Sequence, residues 1–136
     1  MLTPESLSSL VASSAQIPFV SDILAATRRG GGLDINEYLV RNPVATFFFR
    51  VEGDAMRGAD ILPGDFLVVD RSITPRHGHV VVVFVDGECL LRRFCERPSG
   101  VVLEAASSGY SPLQAGQGDD WQFWGVAVGK FRKMAV

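Results

Sequence analysis

The rhythm of apolar and polar positions changes along the chain, and each change marks a different element. From Thr46 onward, short runs of β-branched and aromatic residues are separated by Gly- and Pro-containing turns. Thr46 to Glu52, Phe66 to Asp70, His79 to Asp86, Glu88 to Cys95, Val101 to Ala105 and Trp121 to Arg132 read as strands. Asp86-Gly87 between two such runs is a strong hairpin signal, and Leu62-Pro63-Gly64-Asp65 suits a type II turn. The unbroken apolar run Val80 to Val85 predicts a central strand buried on both faces. Phe47, Phe48 and Phe49 place aromatic rings on both faces of the first run, predicting core on one side and a partner surface on the other. Upstream, Asp34 is placed to cap a short helix carrying Ile35, Tyr38 and Leu39 on one face, ended by Asn42-Pro43. The first 32 residues follow neither rhythm. Thr3 before Pro4 suits a helix start, with Leu7, Leu10 and Val11 as a weak apolar face, but Pro18 and Gly30-Gly31-Gly32 break it. Residues 1–32 are therefore expected to form an extended arm, and residues 33–136 a mainly β domain.

Composition narrows the classes of function. A length of 136 residues suits one compact domain and an arm. With 13 basic and 15 acidic residues the net charge is −2, which argues against direct nucleic-acid binding. Two cysteines, no signal-peptide pattern and no membrane-length apolar run point to a cytoplasmic protein without a membrane segment. No cofactor motif is present: Gly30-Gly31-Gly32 lacks the Gly-Lys-Ser/Thr that would follow in a phosphate loop, and reads as a hinge. His77 and His79 lack a third ligand, so no metal site is expected. Cys89 and Cys95 share a strand face without redox spacing and read as packing thiols. Lys130, Arg132 and Lys133 read as a solvated strand end, and Ser107, Ser108 and Ser111 as turn hydroxyls with no base nearby.

One constellation is more specific. Gly53-Asp54-Ala55-Met56 is followed by Gly64-Asp65 and the apolar strand Phe66 to Asp70. Further motifs follow in order: His77-Gly78, Asp86-Gly87-Glu88, Leu91-Arg92-Arg93-Phe94, Arg97-Pro98, Ser108 to Pro112 and Trp124-Gly125-Val126. Together they resemble the LexA/UmuD family of self-cleaving serine peptidases. Ile17 to Asp22 and Asp34 to Leu39 look like the UmuD-type arm, so the likeness covers nearly the whole chain. It implies a compact peptidase-like β fold with a short helix and an extended N-terminal arm.

In that family a serine attacks the chain's own arm and a desolvated lysine takes the serine's proton. The resemblance puts the serine position at Ala55 and the lysine position at Arg92. A methyl group is no nucleophile, and a guanidinium with a pKa above about 12 is no base near neutrality. The small-residue–Gly bond that the family cuts is also missing from the arm, since the only Ala-Gly pair is Ala115-Gly116. The expectation is a degenerate peptidase homologue acting by protein contact in the bacterial SOS response to DNA damage. Implied partners are a second copy or a cleavable relative in a mixed dimer, the RecA filament, a Y-family polymerase subunit and the sliding clamp. An engineered serine-to-alanine form of a RecA-stimulated peptidase would explain Ala55 but not Arg92 or the altered arm. A regulator of a LexA-type repressor is a further alternative. A repressor itself would need a helix-turn-helix module, for which the segment before Thr46 is expected to leave no space.

Overall fold

The computed structural model describes residues 2–4, 34–114 and 120–136. Among these, the elements in chain order are β1 (Leu2–Pro4), α1 (Ile35–Leu39), β2 (Thr46–Val51), β3 (Phe66–Asp70), β4 (Val80–Val85), β5 (Glu88–Arg97), β6 (Gly100–Glu104), β7 (Leu113–Gln114) and β8 (Trp121–Phe131). The strands form one sheet in the order β1-β2-β3-β8-β4-β5-β6-β7. All neighbours run antiparallel. Because β1 also lies against β5, the sheet curls back on itself.

Local chemistry accounts for most of these elements. The Asp34 carboxylate accepts the Asn36 backbone N–H at 2.9 Å, so the cap forms as its sequence suggests. Asp86 and Gly87 both have positive φ, 51° and 81°, as a two-residue type I′ hairpin requires. Gly64, at φ 93°, permits the turn in which Asp65 N–H reaches the Leu62 carbonyl at 3.0 Å. β4 is sandwiched between β5 and β8, and its Val81, Val82 and Val83 are fully buried. Each such valine contributes about 1.5–3 kcal/mol of transfer free energy, which explains why this run sits inside the sheet.

Alternation along the strands feeds separate clusters. Val82 joins Phe49, Val51, Met56, Leu67, Val69 and Leu91. Val81, Val83 and Val85 join Phe94, Leu103 and Val126. Phe48 lies with Val40 and Val68 under Leu39 and Phe131. The expected partner surface on the second face of β2 is therefore corrected. α1 and the end of β8 cover Phe48, and Phe47 is the half-exposed ring of the three.

A second correction concerns Thr3-Pro4, which lie in β1 rather than at a helix start. Thr3 pairs with Arg50 and Pro4 with Phe49 along the outer side of β2. Pairing there occupies an otherwise open edge, where proline is tolerated. The remainder of the expected arm, including Leu7, Pro18 and Gly30 to Gly32, lies outside the described residues, as does Ala115-Gly116.

Strand β8 carries two irregularities. Its pairing shifts between Val68 and Val69 on β3 and between Val82 and Val83 on β4, so Val128 and Trp124 fall out of register. Gly125, beside the second shift, lets β8 approach β3 closely, because a Cβ there would stand 2.6 Å from Val69 Cγ1. Trp124 turns onto Phe49 and Phe47, with ring centroids 4.5 and 5.1 Å away. The Arg71 guanidinium covers its ring at 4.4 Å, and Arg71 Nε donates to the Trp124 carbonyl.

Candidate functional site

The site forms where β2 ends. Gly64 N–H donates to the Val51 carbonyl at 2.7 Å, and Val51 N–H to the Asp65 carbonyl at 2.8 Å. The Pro-Gly-Asp turn thereby grips the last residue of β2, two positions before Gly53. From Gly53 the chain folds through Asp54, Ala55 and Met56 into a single 3-10 turn, Arg57–Ala59. Met56 is 1 % exposed and anchors this turn in the core with Ile61 and Leu91.

The segment after β6 holds the turn from outside. Ala106 N–H donates to the Ala55 carbonyl at 2.8 Å, and Gly58 N–H donates to the Ala106 carbonyl. Ser107 Oγ donates to the Asp54 carbonyl at 2.7 Å, and the Tyr110 hydroxyl donates to Asp54 Oδ1. A side chain at Gly58 would collide with the Ala106 carbonyl, so glycine is required for this close approach. The Tyr110 hydrogen bond is the largest influence holding the Asp54 carboxyl below its ordinary range, and the same bond raises the tyrosine.

Tyr110 connects the two positions singled out in the sequence. Its hydroxyl binds the residue before Ala55, while the Arg92 guanidinium lies over its ring, 5.2 Å from the centroid. Arg92 is buried in β5, and its Nη1 donates to the Leu91 carbonyl at 2.8 Å. Burial pulls the guanidinium below its ordinary value, with Tyr110 and Glu88 opposing that shift. Ala55, also buried, presents only a methyl group at the turn. Sequence reasoning passed over Tyr110, although it sits within one of the resemblance motifs. A tyrosine in an apparent turn carries no signal until the turn is placed against Asp54.

Asp65 has a different part from the rest of its motif. Its side chain is 1 % exposed and accepts Leu62 N–H at 2.8 Å, Arg132 Nε at 2.6 Å and Lys130 Nζ at 3.2 Å. Burial alone would raise this carboxyl, but those three donors together hold it below its ordinary value. Arg132 also donates to the Pro63 carbonyl at 2.6 Å. Lys130 and Arg132 are thus not merely a solvated strand end: alternate residues at the end of β8 converge on one buried carboxylate. Gly64, Asp65, Gly53, Asp54, Ala55 and Met56 are brought together around Val51, and Arg92 joins them through Tyr110.

The other candidates are structurally occupied. His77 Nδ1 accepts Glu96 N–H at 2.9 Å, and His79 Nδ1 accepts Arg76 N–H at 3.0 Å. Cys95 is buried, which pushes its thiol up, and Cys89 packs beside the first core cluster. Among the described residues no helix is long and apolar enough to cross a membrane.

A mainly antiparallel sheet with a Gly-Asp-x-Met turn clasped at the end of a strand defines a peptidase-like scaffold. Residues 9–128 match the Peptidase S24-like family, and the chain belongs to it, as the sequence motifs implied. It is 46 % identical to Protein ImpA of Salmonella typhimurium over 66 residues, which is 48 % of this chain and 46 % of ImpA. Protein SamA of Salmonella typhimurium is 34 % identical over 101 residues, covering 74 % of this chain and 69 % of SamA. The LexA repressor of Shewanella baltica is 38 % identical over 92 residues, covering 67 % of this chain and 45 % of the repressor. The chain spans about half the length of ImpA and of the LexA repressor.

Proposed function

We propose that this chain is a non-cleaving, UmuD-like member of its family that acts in the SOS response through protein contacts. The observation that carries the reading is the buried Arg92 guanidinium, stacked on the tyrosine that holds the Ala55 turn. If Ala55 and Arg92 occupy the family's serine and lysine positions, neither half of the proton transfer can occur. Alanine has no hydroxyl to activate, and arginine stays protonated near neutrality. The turn itself remains clasped by its hydrogen bonds at Asp54, Ala55 and Gly58, which need neither group. A second copy, or a cleavable relative in a mixed dimer, is the first partner, with the RecA filament and a Y-family polymerase subunit beyond it. The net charge of −2 favours reaching DNA through such proteins rather than directly.

The test restores Ala55→Ser and Arg92→Lys together and offers each protein the arm of a cleavable relative. The parent is expected to leave that arm intact while the double variant cuts it, and the double variant should not cut its own arm. Cleavage by the parent would overturn the non-cleaving reading. Efficient self-cleavage by the double variant would overturn the argument that the arm lacks the bond. Co-sedimentation of the parent with RecA filaments on single-stranded DNA tests the partner, and recovery only in the supernatant would count against it.

A further inference from the structure

Arg92 is a buried cation whose hydrogen-bonding capacity is left partly unused. Its residue is 7 % exposed, Nη1 is engaged by the Leu91 carbonyl, and Nε is buried without a hydrogen-bond partner. An unpaired buried donor on a charged group is costly to keep, and a planar guanidinium loses that cost when an anion meets its free edge. With Nη1 taken, the edge that remains is the one bearing Nε and Nη2, the side-on fork that matches the two oxygens of a carboxylate. The Tyr110 ring lies over the face of the guanidinium, and Tyr110 is 40 % exposed, so on that side Arg92 lies one side chain below the surface.

We infer that Arg92 and Tyr110 form a carboxylate-binding site beside the Ala55 turn, taking a single peptide carboxylate on the Nε–Nη2 edge of Arg92. The charge favours a monoanion. One guanidinium supplies a single positive charge, and Glu88 acts nearby as a negative charge that opposes a dianion such as phosphate. Asp54 does not fill the fork itself, since its Oδ1 is held by the Tyr110 hydroxyl. The inference stands on the surroundings of Arg92 and holds whichever partner the SOS reading supplies.

The experiment follows the Arg92 Nε–H resonance in proton–nitrogen correlation spectra of the isotope-labelled full chain, assigned by its loss in Arg92→Lys. The probes are sodium acetate, sodium phosphate and sodium chloride at matched ionic strength. Three capped alanine-based peptides follow: one with a free C-terminal carboxylate, one amidated, and one amidated with a central glutamate. A saturable shift with acetate, absent with chloride and with the neutral amidated peptide, is expected. Binding by the free-acid peptide would assign the site to chain ends, and binding by the glutamate peptide to acidic side chains. Arg92→Lys, which keeps the charge but loses the fork, should weaken acetate binding about tenfold as followed on neighbouring backbone amides. Acetate shifts no different from chloride, saturation by phosphate alone, or undiminished binding in Arg92→Lys would overturn the proposal.

Discussion

Replacing Asp65 with asparagine isolates the clamp that joins the Pro-Gly-Asp turn to the end of β8. Asn keeps the volume and an oxygen for Leu62 N–H, but removes the charge that draws Arg132 Nε to 2.6 Å and Lys130 Nζ to 3.2 Å. A hydrogen bond to a charged group contributes about 1.5–3 kcal/mol. The cations are 46 % and 36 % exposed and regain water when released, so the lower end applies to Arg132 and less to the longer Lys130 contact. The expected loss is about 2–3 kcal/mol, or roughly 10 °C in melting temperature for a domain of this size. Urea unfolding followed by the fluorescence of Trp121 and Trp124 reads it directly. The pH dependence gives the sign. The folded carboxyl lies below the ordinary aspartate value of 3.8, so its stabilisation is present above that value and is lost as pH falls through the folded pKa. Parent and Asp65→Asn should therefore converge in strongly acidic solution. A loss under about 0.5 kcal/mol near neutrality, or one that persists unchanged in acid, would refute the clamp.

Two further outcomes follow from the clasp around Ala55. Gly58→Ala drives a Cβ into the Ala106 carbonyl; it should cost about 1–3 kcal/mol and speed hydrogen exchange at Ala106 N–H, whereas an unchanged exchange rate would place the contact elsewhere. Tyr110→Phe removes the hydrogen bond that most depresses the Asp54 carboxyl, so the Asp54 titration followed by NMR should move up toward 3.8; a titration that stays where it was would assign the depression to Arg57 or the backbone.

Most of the scaffold was legible because its determinants are local. Asp34, the Pro63-Gly64 turn and Asp86-Gly87 each specify a backbone geometry within a few residues, and Val80 to Val85 announces its burial by composition alone. β1 and β7 were missed for the opposite reason: strands of three and two residues have no period to detect, and their pairing is decided by a distant edge. Phe48 shows the same limit in part, since Phe131 at the end of β8, which helps to cover it, lies far along the chain. At the site, Gly53 to Met56, Gly64, Asp65 and Arg92 could be singled out by motif order. Tyr110, Lys130 and Arg132 could not, because their roles depend on partners more than fifty residues away, and a charged strand end looks solvated until its buried carboxylate is placed.

Whether the chain cuts itself is the decisive question about this protein. Intact-mass measurement of the purified protein after incubation at alkaline pH, and separately with RecA, ATP and single-stranded DNA, tests this directly. The unaltered mass of the full chain is predicted under both conditions. Discrete loss of an N-terminal fragment in either would contradict the account.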